Sequence, residues 1–337
     1  MRRITREELF QTLGLCEDGS LFHDKKGRPV ATPVPLAPLA DSHGHLTCFK
    51  GLDASVALCR AALAGVRLMV VPIDPTEDLS HRWQSVPALM SWLERERERA
   101  RELLDACAEE GLVPPDFGED IPSLPDGVRL VAGVHPYGAH LLSPEVMGCL
   151  DSLLDHPLCV GVGEIGLDFG PYSELPSDVQ ERAFRQQLRI AHEHGLPVEL
   201  HIRDGQDNTA GHDLAARVLQ EEGVPGRGCD LHCFTQGPEV MAPFVELGCH
   251  IAFGGAATFG RSDDIRGALA QCPQDLLLLE TDCPYMAPVP LRGRQCEPAM
   301  VSHTASLLAD HLWRETQRPL ERSYATFWEN ARRLFSL

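Results

Sequence analysis

Long apolar segments are missing from this chain of 337 residues. No run reaches the roughly 20 predominantly apolar residues that a membrane-spanning helix needs. The first residues, Met1 to Glu8, carry charges and are not followed by an apolar stretch or a small-residue cleavage site, so we do not interpret them as a signal peptide. The sequence therefore predicts a cytoplasmic protein without membrane contact.

Basic charge is also scarce, because 30 Lys and Arg residues stand against 49 Asp and Glu residues and the net charge is −19. A protein that binds duplex DNA broadly usually presents a basic surface, and this balance argues against such binding. The balance is still compatible with a nuclease, since bound divalent cations supply local positive charge at an active site.

The chain also lacks closely spaced pairs of cysteines. The sequence has 12 cysteines but no Cys-x-x-Cys pair, and we interpret them as small buried side chains of a reducing compartment rather than metal ligands or disulfides. Because side chains alternate along a strand, Cys229 and Cys233 are expected to face away from His232.

Apolar runs of strand length are what the chain has in abundance. Eight candidate strands lie at 39–46, 66–73, 128–135, 159–165, 197–203, 229–234, 249–255 and 276–282. Most are rich in Val, Leu and Ile, as expected for parallel strands covered on both faces. Helical patterns separate them, one of which places Phe184, Leu188 and Ala191 on a single stripe. Eight alternating units predict an α/β fold, a closed TIM-type (β/α)8 barrel.

Two segments exceed a minimal barrel of residues 39–337. Residues 1–38 form an N-terminal extension, for which turn signals predict a helix and a small hairpin packed on the barrel. An insertion of about 75–127 lies between the second and third strands and contains a long helix, and its first part, 74–87, is expected to overhang the barrel mouth.

The inserted helix contains the mixed-charge run Glu94 to Arg99. Alternating signs are typical of a solvated face with mutual pairing rather than of a nucleic-acid contact, although a docking surface for a partner remains an alternative. The predicted buried stripe of this helix consists of Leu89, Leu93, Ala100, Leu103 and Cys107.

Six side chains that can bind a metal lie at the ends of separate apolar runs. They are His43, His45, Glu164, His201, His232 and Asp282. The carboxyl ends of barrel strands are where such folds build their active sites. Chance would rarely place six such residues at these positions together, so we interpret the set as a metal centre.

Three acidic residues precede these ligands by two positions and share their faces of the strands: Glu199, Asp230 and Glu280. Glu280 and Asp230 could orient ligand imidazoles. Glu199 either needs a partner inside the barrel or turns outward to water, and the sequence leaves both alternatives open.

The composition of the set points to two divalent metal ions, Zn²⁺, Mn²⁺ or Mg²⁺, and four histidines favour a transition metal. Six ligands are too many for one open catalytic site, whereas two ions bridged by Glu164 would use them all. Such a pair activates a water molecule, and Asp282 is the natural acceptor of its proton. This chemistry predicts a metal-dependent hydrolase.

Several motifs resemble those of the TatD-type metal-dependent deoxyribonucleases of the amidohydrolase superfamily, from about residue 39 to the C-terminus. The segments are Asp41-Ser-His-Gly-His-Leu46, Gly133-Val-His-Pro136, Gly163-Glu-Ile-Gly-Leu-Asp168, Leu196 to Arg203, Leu231 to Gly237, Ala252 to Phe259, Glu280-Thr-Asp-Cys-Pro-Tyr285, Arg292-Gly-Arg294, Glu297-Pro298 and Asn330. Each motif alone is weak to moderate, but their joint order is specific.

The resemblance implies one metal held by His43, His45, Glu164 and Asp282, and a second held by Glu164, His201 and His232. It implies that His135 meets substrate phosphate as a catalytic residue beside Glu164 and Asp282. Arg203 and Arg292 are further candidates for substrate binding, and a structural role for Arg203 is an equal alternative. Asp168 is expected to fix the loop after its strand.

The implied activity is a DNase that cleaves phosphodiester bonds with a two-metal activated water, in the manner of a 3'-5' exonuclease acting on single-stranded ends. The alternative is a small-molecule amidohydrolase that opens an amide, lactone or ester at the same dinuclear site. A third hypothesis is a non-catalytic binding protein, which the full ligand set disfavours. We expect a monomer whose partner is DNA or a small-molecule substrate.

Overall fold

A computed structural model describes residues 4–335. Within this range the elements in chain order are α1 (Arg6–Leu13), β1 (Phe22–His23), β2 (Pro29–Val30), β3 (Leu39–Asp41), α2 (Ala54–Leu63), β4 (Val66–Ile73), α3 (Val86–Glu109), β5 (Val128–Ala132), α4 (Pro144–Leu154), β6 (Cys159–Asp168), α5 (Ser177–His194), β7 (Val198–Arg203), α6 (Ala210–Glu222), β8 (Cys229–Leu231), α7 (Pro238–Glu246), β9 (His250–Phe253), α8 (Asp263–Gln271), β10 (Leu277–Leu279), α9 (Val301–Thr316) and α10 (Leu320–Leu334).

Strands β3 to β10 form one parallel sheet in sequence order, with helices between them. The two edges meet, because the Ser42 N–H donates to the Leu279 carbonyl at 2.9 Å and the His45 N–H donates to the Cys283 carbonyl at 2.8 Å. Asp41 strengthens this seam by accepting from the backbone and side chain of Thr281, both at 2.7 Å. The (β/α)8 barrel predicted from the sequence is confirmed.

All eight predicted strands are present, but five end earlier than expected, three of them just before candidate ligands. Regular pairing stops at Asp41, Leu231 and Leu279, whereas the apolar runs continue toward the candidate ligands. Cys233 and Asp282 have φ values of 50°, which no β-strand residue adopts. The backbone therefore turns at Asp282 and directly after His232, and the strict alternation of side chains does not continue through these positions.

The barrel strands are buried because helices cover the outside and side chains fill the inside. Every residue of β4 is buried, as the unbroken run Val66–Ile73 predicts. On the helix side, Phe184, Leu188 and Ala191 of α5 are fully buried, which confirms the predicted stripe.

The N-terminal segment contains α1 and a two-stranded hairpin of β1 and β2. Thr5 and Glu8 form a capping box that starts α1. Arg60 of α2 joins this segment to the barrel, since its guanidinium donates to the carbonyls of Leu13 and Leu21 and to both carboxylate oxygens of Glu297.

Helix α3 occupies the crossover between β4 and β5. Its buried residues within the described chain are Leu89, Leu93, Ala100, Leu103 and Cys107, the predicted stripe. Its exposed charges pair with one another and with Asp126, as in the contacts Arg99–Glu102 and Arg101–Asp126, which agrees with a solvated face.

A π-helical turn, Pro75–Trp83, precedes α3. The Trp83 ring packs on the Trp92 ring with centroids 4.7 Å apart, and Arg82 donates to the Thr47 carbonyl in the loop after β3. The turn therefore lies beside the carboxyl ends of β3 and β4. Among residues 4–335, no helix is both long and apolar enough to cross a membrane.

Candidate metal centre

The six candidate ligands come from five strands, either from within the strand or from the residues directly after it, and converge inside the barrel mouth. His43 and His45 follow β3, Glu164 lies in β6, His201 lies in β7, His232 follows β8 and Asp282 follows β10. Close contact between β6 and β7 contributes, because a Cβ at Gly163 would lie 2.6 Å from the Cβ of Glu199. Only glycine permits this approach, which brings Glu164 next to the β7 ligand.

The first cluster contains His43, His45 and Asp282. The two Nε2 atoms are 3.2 Å apart, and Asp282 Oδ1 lies 3.8 Å from that of His43 and 3.7 Å from that of His45. Zinc–nitrogen bonds of about 2.0–2.1 Å at a tetrahedral ion place two nitrogens about 3.3 Å apart. The spacing of these atoms therefore fits an ion between them.

The second cluster is centred on Glu164, which faces both groups of histidines. Its Oε1 lies 2.7 Å from His201 Nδ1 and 2.9 Å from His232 Nε2, while its Oε2 lies 3.9 Å from His43 Nε2. The nitrogens of His201 and His232 are 3.4 Å apart. One carboxylate between two nitrogen pairs is the arrangement that a bridged pair of ions requires.

Each of three imidazoles has a carboxylate on the side away from the cluster. Glu199 Oε1 lies 2.9 Å from His43 Nδ1, Asp168 Oδ2 lies 3.0 Å from His201 Nε2, and Glu280 Oε2 lies 3.8 Å from His232 Nδ1. A carboxylate behind a ligand imidazole fixes the ring and its tautomer and raises its basicity. Of the two alternatives that the sequence left open for Glu199, the structure shows the first: the side chain points into the barrel, and its partner is His43.

Burial and neighbouring charges set the protonation of these carboxyls. Burial alone would raise the pKa of Glu164, but the imidazoles of His232, His135 and His201 outweigh it and hold that pKa well below its usual range. Burial raises the pKa of Glu199 to about 8 and that of Glu280 to about 7. The carboxylate that faces both clusters is therefore the one that stays ionised most readily.

Asp230 does not orient an imidazole, contrary to one expectation. It is buried, and neither carboxylate oxygen has a hydrogen-bond partner among residues 4–335. Burial, together with the charges of Glu199 and Glu280, raises its pKa well above the usual range. A neutral acid in the barrel interior follows from this.

His135 lies beside the second cluster. Its Nδ1 accepts from the Tyr137 N–H at 3.2 Å, so its proton is on Nε2, which lies 3.7 Å from Glu164 Oε1. Burial, with the neighbouring His201, lowers the pKa of His135 to about 3. The ring is therefore a neutral donor aimed at the metal centre.

The two arginines are placed differently. Arg203 is half exposed, and its guanidinium lies 3.8 Å from Asp168, so it borders the site. Arg292 is exposed, and its guanidinium lies over the Phe259 ring, 4.2 Å from the ring centroid. The structure brings Arg203 to the cluster and leaves Arg292 outside it.

Sequence reasoning missed two features of the site. Cys233 does not face away, because its Sγ lies 3.5 Å from Asp282 Oδ2, and the turn at φ 50° is the reason. Asp168 fixes its loop by accepting from the Gly170 N–H, as expected, but it also orients His201. Its position at the end of β6 was the available signal.

The comparison with known families agrees with this geometry. A sequence model of TatD-related DNases matches residues 40–336, nearly the whole chain. The chain belongs to the TatD family. Proteins that resemble it include a Bacillus subtilis protein described as the metal-dependent hydrolase YabD. That protein is 32% identical over 212 residues, 63% of this chain and 79% of the relative.

A second TatD relative is the 3'-5' ssDNA/RNA exonuclease TatD of Klebsiella pneumoniae, 37% identical over 196 residues, 57% of this chain and 72% of the relative. Among solved structures, the TatD homologue YJJV of Escherichia coli superposes with a TM-score of 0.67 at 25% identity, covering 90% of this chain and 99% of its own. This chain is thus a metal-dependent hydrolase with a TatD-type barrel.

Proposed function

We propose that this TatD-family hydrolase is a DNase that removes nucleotides from the 3' end of single-stranded DNA, using two divalent metal ions. The observation that carries the proposal is Glu164, which faces two groups of imidazoles, three of them backed by carboxylates. The exonuclease name of the Klebsiella relative supports the choice of substrate.

His43, His45, Glu164 and Asp282 would hold one ion, and Glu164, His201 and His232 the other. When bound, the ions supply Lewis acidity, which activates water and neutralises charge on a phosphate oxygen. Nitrogen and oxygen donors with four histidines suit Zn²⁺ or Mn²⁺ better than Mg²⁺.

Asp282 is the proposed proton acceptor. Its Oδ1 faces the imidazoles of the first cluster, and its Oδ2 accepts a hydrogen bond from the thiol of Cys233. Water attacks phosphorus, the ester P–O bond breaks, the water proton passes to Asp282, and the leaving alkoxide takes a proton from solvent.

His135 and Arg203 are proposed to meet the substrate phosphate. The Nε2–H of the neutral His135 ring can donate to a phosphate oxygen, and such preorganised donors stabilise developing charge. Arg203 adds a cation at the rim of the site. Arg292 remains a candidate for contacts with a longer strand, away from the reacting atoms.

The test uses protein stripped of metal by chelation and then supplied with Mn²⁺, Zn²⁺ or Mg²⁺. Single-stranded oligonucleotides labelled at either end report the direction of digestion. We expect activity to return with metal and to be absent from His201→Ala and Asp282→Asn. His194→Ala, an exposed histidine at the end of α5, is the matched control and should retain activity.

Equal cleavage by the wild type and both site variants would trace the activity to a contaminant. Turnover of amides, lactones or esters without any cleavage of DNA would instead establish the small-molecule amidohydrolase, because the same activated water can attack a carbonyl carbon.

A further inference from the structure

Three of the four tyrosines of the chain lie in loops that leave carboxyl ends of barrel strands, and all three are exposed. Tyr137 is 39% exposed, Tyr172 is 77% exposed and Tyr285 is 56% exposed. Large exposed rings gathered at one end of a protein usually mark a binding surface. The metal centre lies at the same end of the barrel.

Two of these rings terminate a continuous row of ring contacts that crosses the site. Tyr137 packs edge-to-face on His135 at 4.5 Å, and Tyr285 packs edge-to-face on His45 at 6.2 Å. Between them the row runs from His135 to His201 (4.4 Å), His232 (5.5 Å), His43 (4.0 Å) and His45 (4.8 Å). The metal centre therefore lies between two exposed tyrosine rings.

The charge of the chain restricts how a nucleic acid can bind here. With a net charge of −19, the protein has no excess of cations to follow a phosphate backbone. Proteins that bind single strands combine backbone contacts with aromatic rings on which bases stack, and stacking works with every base. At the mouth of this barrel, the structure offers aromatic rings for base stacking rather than a series of cations for the phosphate backbone.

On the basis of the proposed function, we propose that Tyr137 and Tyr285 are stacking platforms for unpaired bases on the two sides of the scissile phosphodiester. The phosphate lies over the clusters, close to Glu164 and His135, and the flanking bases stack on the terminal rings. The substrate class is a single strand with at least one base on each side of the cleaved bond, because the base faces of a duplex are covered by their neighbours.

The experiment combines substitutions of the two tyrosines with substrates that lack one base. Tyr137→Ala, Tyr285→Ala and the ring-preserving Phe variants are compared in kcat/KM on a single-stranded oligonucleotide. The same oligonucleotide is then made with an abasic residue on one side or the other of the terminal phosphodiester. A small chromogenic phosphodiester without bases serves as the reference substrate, which measures any effect of the ring changes on the reacting centre itself.

We expect each Ala variant to lose roughly tenfold or more on the oligonucleotide, mostly through KM, in the range found when one base–aromatic stack is removed. The Phe variants should stay close to wild type. On the matching abasic substrate the wild type should lose the same factor, and the Ala variant should lose little more. The loss of an Ala variant on the oligonucleotide should exceed any loss of the same variant on the chromogenic ester by that factor.

Trp313→Ala is the matched control. Trp313 is also exposed, at 47%, but it lies in the last turn of α9, at the end of the barrel away from the mouth. Its loss should leave all the rates unchanged.

Additive losses from ring removal and base removal would overturn the inference while leaving the phosphodiesterase proposal intact. A preference for duplex over single-stranded ends would also overturn it, together with the single-stranded substrate of the proposed function. Failure of metal-loaded protein to hydrolyse either the oligonucleotide or the chromogenic ester would instead reject the proposed function itself.

Discussion

At the scale of the residue, the candidate site depends on carboxyl side chains that orient its imidazole rings. Glu199 lies across the barrel from His43, since β7 and β3 are four strands apart, yet their side chains are 2.9 Å from each other. The contact fixes which nitrogen of His43 faces the clusters. Glu199 is a buried carboxyl with a raised pKa, and its contact orients an imidazole of the candidate metal centre.

The first prediction concerns this contact. Glu199→Gln keeps the shape of the side chain but replaces the carboxyl group that contacts His43 Nδ1 with an amide that cannot ionise, so His43 is held less firmly. We expect metal affinity to fall about 10- to 100-fold, as substitutions behind ligand histidines do elsewhere. Calorimetric titration of chelator-stripped protein measures it, with the exposed Glu174→Gln as control. Unchanged affinity in the Glu199 variant would show that the contact has no role in metal binding.

The second prediction concerns His135. His135→Asn removes the proposed phosphate donor without removing a proposed metal ligand, so kcat/KM should fall about 100-fold or more while metal affinity stays the same. Because the pKa of His135 lies near 3, the ring is neutral at any pH above about 4. The acidic limb of the pH profile should therefore have the same midpoint in wild type and variant. A midpoint that moves with the substitution would contradict the assigned protonation state.

At the scale of the element, Arg60 joins three parts of the chain. Its guanidinium binds Glu297 in a bidentate pair in which both side chains are 8% exposed, and it also binds carbonyls at the end of α1 and before β1. The N-terminal segment is thereby attached to α2 and to the loop that follows β10. An exposed pair such as Arg182–Asp178, with both side chains 67% exposed, has no comparable role.

The third prediction follows from that difference. Arg60→Ala leaves Glu297 buried without its partner, and the free energy of unfolding should fall by about 3–5 kcal/mol. Urea denaturation monitored by fluorescence measures the change, and Arg182→Ala should have a small effect by comparison. Limited proteolysis should also cut the N-terminal segment faster in the Arg60 variant. Equal stability of the two variants would show that Arg60 does not stabilise the attachment of the N-terminal segment.

At the scale of the whole molecule, buried histidines outside the site make stability depend on pH. Burial lowers the pKa of His250, with a contribution from Arg333, and of His303, each from 6.5 to about 4. The unfolded chain binds protons at these rings at higher pH than the folded protein does. Acid therefore favours unfolding between the two pKa values, and the stability is regained as pH rises through that interval.

The fourth prediction is a loss of unfolding free energy as pH falls from about 6.5 to about 4, by at most about 1.4 kcal/mol per pH unit for each histidine. Urea titrations of chelator-treated protein at several pH values measure the slope. The double variant His250→Gln, His303→Gln should have a shallower slope over this interval. A slope that is identical in the double variant would assign the dependence to other groups.

The sequence alone determined the barrel and the candidate metal-binding side chains that converge at its mouth. Apolar runs such as Val66–Ile73 and stripes such as that of α3 are local patterns, because burial repeats with the period of the strand or the helix. Side chains in the carboxyl-terminal halves of parallel strands, such as Glu164 and His201, converge in a parallel barrel, since all the carboxyl ends meet at one mouth.

Only the tertiary structure decided which side chains touch across the mouth. The pairing of Glu199 with His43 depends on how far the closed sheet brings opposite strands together, and no local pattern contains that distance. The position of Cys233 beside Asp282 depends on two backbone turns beyond the strand ends. Alternation holds while the backbone stays extended, and it fails at the residues where a barrel turns into its loops.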